Sequence, residues 1–168
     1  MPSGPQAGYW SRSYAGINRA NLLLKRIDGV EGLDSATKAR YVAEAKFLRG
    51  YYYFWLVRLF RNVPLFTSPL ETSEIYQQEQ AAPEDVYAQI DEDLSAAIND
   101  LPAAPLPSNE QGRATKGAAR AFLAKSLIWE VGDGQNQTKM QRAADLLEQV
   151  NTSSAYDLVD NYPDIFSP

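Results

Sequence analysis

"FLRGYYYFWLVRLF", residues 47–60, carries seven aromatic rings in fourteen positions. The rings either form a platform that meets a ligand or fill the inside of a packed core, and the two readings lead to different proteins. At 100° per residue from Phe47, Leu48, Tyr51, Trp55 and Leu59 cover one side of a helix, and Gly50, Tyr53 and Val57 another. Leu56 and Phe60 fill a third direction, leaving Arg49 and Arg58 as the charged interruptions. A helix apolar nearly all round is buried on more than one side, so most of these rings are expected in the core. Arg49 or Arg58 is then expected to be tied to Glu44 or another carboxylate. Gly50 would let a neighbouring helix approach closely. The run is too short and too rich in Tyr and Arg to cross a membrane.

Working outward, Asp34 or Ser35 caps the start of this helix, and Pro64 in "RNVPLF" stops it. Upstream, Tyr9–Ile27 places Trp10, Tyr14, Ile17, Asn21 and Leu24 on one stripe of a helix, which ends at "DGVEGLD". Downstream, Pro83-Glu84-Asp85 opens a third helix with proline in the first turn and carboxylates at the positive dipole end. Its buried stripe is Val86, Ile90, Leu94, Ala97, Ile98 and Leu101. Thr115 caps a fourth helix reaching about Val131, "GDGQNQ" turns the chain, and a fifth follows over Lys139–Val150. The tail "YDLVDNYPDIFSP" reads as irregular or briefly helical, and no period-2 strand is visible.

The chain is thus read as all-α, one domain over residues 1–168. Sliding "AKFLRGYYYFWLV" (45–57) onto "ARAFLAKSLIWEV" (119–131) matches Ala45 with Ala119, Gly50 with Ala124, Trp55 with Trp129 and Val57 with Val131. Helix pairs that repeat bury their core by stacking neighbours, which points to an α-solenoid. The spacing is longer than the standard tetratricopeptide period of about 34 residues.

Composition narrows function. The 168 residues carry a net charge of −5, so nucleic acid is not an expected partner. There is no Cys and no His, which removes thiol nucleophiles, disulfides, Cys/His zinc sites and histidine relays. The opening "MPSGPQAG" lacks the apolar stretch of a signal peptide and reads as a cut end. Asp91, Glu92 and Asp93 diverge around their helix and cannot flank one glycosidic bond, so they read as a solvated face. "GDGQNQ" has the wrong spacing for a calcium loop. No catalytic residue, metal ligand or cofactor is assigned. Asn136 and Asn151 sit in glycosylation sequons, relevant only in a eukaryotic secretory route.

"YAGINRANLLLKRI" followed by "YVAEAKFLRGYYYFWLVRLFRNVPLF" resembles the SusD/RagB family of nutrient-binding outer-membrane lipoproteins. "PEDVYAQIDEDLSAAINDLP", "GRATKGAARAFLAKSLIWE" and "YDLVDNYPDIF" extend the resemblance, in order and spacing, over residues 9–166. The resemblance implies a scaffold of tetratricopeptide-like helix pairs, of which this chain is the N-terminal portion. It also implies a lipidated N-terminal Cys at the cell surface, a segment not in this sequence. The scaffold would sit on a TonB-dependent (SusC-like) transporter and present oligosaccharides or other nutrients to it. The membrane is then met only through the lipid anchor. Sugar binding needs flat apolar faces with amide or Arg groups beside them. Tyr9, Trp10 and Arg12 are the candidate ligand contacts, against the packing alternative that Trp10 shares a core face with Tyr14 and Ile17. Asn18 and Asn21 read as helix–helix hydrogen-bond partners. The alternative function is a helical-repeat adaptor that recognises only protein.

Overall fold

The computed structural model describes residues 5–70, 78–132, 134–157 and 161–163. Five helices follow one another: α1 Pro5–Arg26, α2 Ser35–Phe60, α3 Pro83–Asp100, α4 Lys116–Val131 and α5 Gln137–Asn151. Each packs mainly on the next in sequence, so α2 lies between α1 and α3, and α4 between α3 and α5. That is the stacking order of a helical repeat, with α1/α2 and α3/α4 as successive pairs.

The starts follow the side chains that answer free N–H groups. Asp34 caps α2 through Thr37 N–H at 2.9 Å, Thr115 caps α4 through Ala118 N–H at 3.2 Å, and Asn136 caps α5 through Lys139 N–H at 3.1 Å. The Asn136 cap starts α5 two residues before Lys139, so Gln137 belongs to the helix rather than to the turn. Pro83 takes the first helical position of α3, where no N–H is needed. α1 begins at Pro5, four residues ahead of Tyr9, and closes through a 3-10 turn at Ile27–Gly29.

The core runs along α2. Tyr53, Phe54 and Leu56 are fully buried with Ile17 from α1, Val86, Ile90 and Leu94 from α3, and Leu123 and Leu127 from α4. Each such side chain contributes about 1.5–3 kcal/mol of burial. Phe54 meets Phe122 edge-on at 5.2 Å between centroids, and Tyr51 tilts against the same ring at 5.0 Å. A Cβ on Gly50 would stand 3.1 Å from Leu94 Cγ, so glycine here lets α2 and α3 close on each other. On Gly117 a Cβ would overlap the Tyr156 ring, whose hydroxyl meets Thr115 Oγ1 at 2.9 Å. The start of the tail is thereby held at the α4 N-terminus.

α2 packs on more than one side, against α1 and α3, while Leu48 and Leu59 are 45% and 55% exposed on its remaining side. Two expectations need correction. Asp93 is not on a solvated face but 1% exposed, where it meets Arg49. Arg49 thus has the carboxylate partner expected of it; Glu44 binds Arg40 and Arg113, and Arg58 lies over the rings of Trp129 and Trp55 with no ion-pair partner among the described residues. A two-residue antiparallel ladder, β1 Val63–Pro64 against β2 Gln80–Ala81, forms where no strand was expected. Part of the tail, residues 158–160 and 164–168, lies outside the described residues.

Candidate functional site

Along α1, residues 10, 14 and 18 recur every fourth position and so share a face. Trp10, Tyr14 and Asn18 form one wall of a groove of about 430 Å³, with Ser11 and Ala15 beside them. The opposite wall is the segment leaving α2, with Pro64, Phe66 and Leu70, and Gln78 closes one end. Trp10 is half-buried. It tilts against Tyr14 and meets Phe60 edge-on, both at 4.9 Å between centroids. Tyr14 stacks on Phe66 at 5.4 Å and 24°.

The second wall has little regular structure, so its backbone groups need other partners. Tyr14 Oη donates to Pro64 O at 2.8 Å. Tyr53 Oη both donates to Phe66 O and accepts from Phe66 N–H, each at 2.9 Å. Asn21 Nδ2 donates to Phe66 O at 3.1 Å and Ser68 O at 3.2 Å. Arg49 Nη1 donates to Thr67 O at 3.0 Å and to Asn21 Oδ1 at 2.7 Å. Its Nε and Nη2 grip the two Asp93 oxygens at 2.7 Å each. Three helices therefore hold one irregular strap through a buried polar network, and such a network fixes geometry when its members are satisfied.

Electrostatics keep the donors in place. Burial pushes the Tyr14 phenol up, aided by neighbouring Tyr53, and pushes Tyr53 up to about 12 despite the hydrogen bond from Phe66 N–H and nearby Arg49. Both hydroxyls stay protonated through neutral pH. Burial also pushes the Asp93 carboxyl up, while the two charge-assisted bonds from Arg49 pull against it.

Of the three residues singled out in the sequence, Trp10 lines the groove; Tyr9 and Arg12 do not, because they lie on other faces of α1. Tyr9 is 37% exposed, and partial burial, with nearby Tyr51 and Tyr52 adding to it, raises its phenol. Arg12 is exposed. Asn21 is a buried hydrogen-bond partner, whereas Asn18 is exposed at the groove. Sequence reasoning passed over Tyr14 as core packing, although its four-residue step from Trp10 was visible. Phe66 and Leu70 carried no signal, since the fold of the strap brings them there.

Among the described residues that line the groove, Tyr14 carries the ionisable group, and the others offer aromatic faces, amides and a hydroxyl. That combination suits stacking and hydrogen bonding to a neutral polyhydroxylated ligand. Acid–base hydrolysis would need a carboxylate pair. Asp91 is instead bound to Arg142 and Asp93 to Arg49, and Glu92 is exposed. Among the described residues, no three His, Cys, Asp or Glu side chains gather as a metal would require, and no helix is long and apolar enough to cross a membrane.

The fold and groove define a helical-repeat binding scaffold. Residues 3–127 match the SusD-like family model described as "Starch-binding associating with outer membrane", and the chain belongs to the SusD-like family. It is 31% identical over 168 residues to SusD-like protein P25 of Formosa agariphila, covering 95% of this chain and 29% of that one. A solved laminarin-binding SusD-like protein superposes with a TM-score of 0.84 at 42% identity, covering 94% of this chain and 34% of the other. A crystal structure with xylogluco-oligosaccharide aligns at 27% identity and a TM-score of 0.81, over 95% of this chain and 32% of that one. The chain thus spans about a third of the length of the relatives it matches. SusD-like proteins are carbohydrate-binding proteins associated with the outer membrane.

Proposed function

We propose that this protein is a non-enzymatic cell-surface glycan-binding protein that delivers oligosaccharide to a TonB-dependent, SusC-like outer-membrane transporter. In this reading a lipid anchor outside the present sequence holds it at the membrane. The observation that carries the proposal is the groove of Trp10, Tyr14 and Asn18, whose described lining is aromatic faces and amides, built into a SusD-like scaffold. A pyranose ring lies on the exposed part of Trp10 through its C–H face, and Asn18 and Ser11 address its hydroxyls. Of Tyr9, Trp10 and Arg12, we assign Trp10 to the ligand.

The test is a titration of the folded chain with neutral oligosaccharides, including β-glucans, by tryptophan fluorescence and calorimetry. Saturable binding that weakens about tenfold in Trp10→Ala is expected, since a stacked ring contributes about 0.5–1.5 kcal/mol beyond its area. Unchanged affinity in a folded Trp10→Ala variant would remove Trp10 from the site. Binding to protein partners with no response to any saccharide would favour the adaptor reading. Delivery is tested separately, by measuring complex formation with a purified TonB-dependent, SusC-like transporter.

A further inference from the structure

A second cleft, of about 440 Å³, opens where the C-terminal ends of α2 and α4 meet the start of α3. Its chemistry differs from that of the groove. Arg58, in the last turn of α2, lays its guanidinium over the Trp129 ring of α4, with Cζ 3.7 Å from the ring centroid. The Trp55 ring lies 4.9 Å from the same carbon. Arg58 covers one face of Trp129, yet the indole remains 49% exposed, so its other side faces the solvent. Arg61, the residue that ends α2, also lines the cleft, with Tyr87 across from it.

The charges at this cleft are unequally answered. Glu130 is bound to Lys139, and Glu84 lies in the first turn of α3, at the positive end of the helix dipole. Neither Arg58 nor Arg61 has an ion-pair partner among the described residues, and Arg58 Nε is buried without a hydrogen-bond partner. Arg40, Arg49, Arg113 and Arg142 each hold a carboxylate. A guanidinium stacked on an indole keeps its plane fixed, and with Nε buried it is the terminal Nη groups of the half-buried Arg58 that would meet a planar anion. The cleft therefore combines an open aromatic face with two unanswered cations.

We infer that this cleft is a second saccharide site, selective for anionic sugars such as uronic acid residues, which stack on Trp129 and place the carboxylate against Arg58 and Arg61. The inference stands apart from the groove reading, since no residue is shared between the two sites.

The experiment titrates the folded chain with an oligogalacturonide, a sulfated galacto-oligosaccharide and a neutral galacto-oligosaccharide of equal length, in low and moderate salt. The galacturonide is expected to bind at least tenfold tighter than the neutral sugar and to weaken as salt rises. Trp129→Ala, at an exposed position, should reduce its affinity about tenfold or more. Arg61→Ala and Arg58→Lys should each reduce it severalfold, and Trp10→Ala should leave it unchanged. A preference for the sulfated sugar that follows the same variants supports the site with sulfate as the anion. Equal binding of charged and neutral sugars overturns the inference, as does galacturonide binding indifferent to Trp129→Ala or lost in Trp10→Ala. Failure of neutral sugars to bind at all bears on the groove alone.

Discussion

Arg49 shows how one residue can set the shape of a site it does not line. Its guanidinium is spent on Asp93 and Asn21 inside the protein and on the part-buried carbonyl of Thr67. Through Asn21 and Thr67 it fixes the strap that forms half of the groove. The sequence marked Arg49 as a charge inside an apolar helix and so implied a carboxylate partner. It did not say which one, because Asp93 lies on another helix 44 residues away. Removing one member leaves the other buried and uncompensated. Arg49→Met is expected to lower unfolding stability by about 3–5 kcal/mol. Arg49→Met with Asp93→Leu should recover much of that loss, because two apolar side chains no longer require ionic pairing. Urea unfolding of the two single variants and the double variant checks this, and a double variant no better than Arg49→Met would refute it.

At the scale of elements, the starts of α2, α3 and α4 were legible, since a cap or first-turn proline acts on the N–H groups beside it, whereas α1 and α5 begin earlier than their patterns suggested. Asp34 shows the consequence for pH. Its hydrogen bonds with Thr37 hold its carboxyl below the ordinary value. The Arg40 hydrogen bond does the same for Glu110. At Asp91 burial acts upward, but hydrogen bonds from Arg142 and Ser95 outweigh it and the net direction is down. A depressed carboxylate contributes stability that is complete above its unfolded pKa, near 4, and is lost as pH falls through the folded value. The protein should therefore lose stability below about pH 4. Asp34→Asn retains a good cap but cannot titrate. Its denaturation midpoint should fall less steeply between pH 5 and pH 3 than that of the parent. Parallel slopes would show that the cap is not part of the acid response.

For the molecule as a whole, the repeat set the stacking order. Ala45 and Ala119 are buried at matching places in α2 and α4, as are Gly50 and Ala124, because each of these helices has a neighbour on either side and needs small residues where they cross. The equivalence fails at the tryptophans: Trp55 is half-buried against Phe54, while Trp129 is open and carries Arg58. Gly50→Val tests the α2–α3 approach. The added methyls meet Leu94 within a packed interface, and a loss of about 1–3 kcal/mol in thermal or urea unfolding is expected. No loss would mean that the two helices can separate at that point without penalty.

The sequence by itself determined the helices, the caps of α2 and α4, the central position of α2 and the membership that "FLRGYYYFWLVRLF" and its flanking blocks announce. These are local or periodic properties, and hydrophobic spacing and capping chemistry report them directly. Only the tertiary structure decided which sides of α2 stay open, that Asp93 goes inside, and that Phe66 and Leu70 swing back to face Trp10. Both saccharide sites proposed here arise where segments distant in sequence meet. The pairing of Tyr14 with Phe66 and of Trp129 with Arg58 follows from how the helices stack, and no periodicity within one segment encodes it.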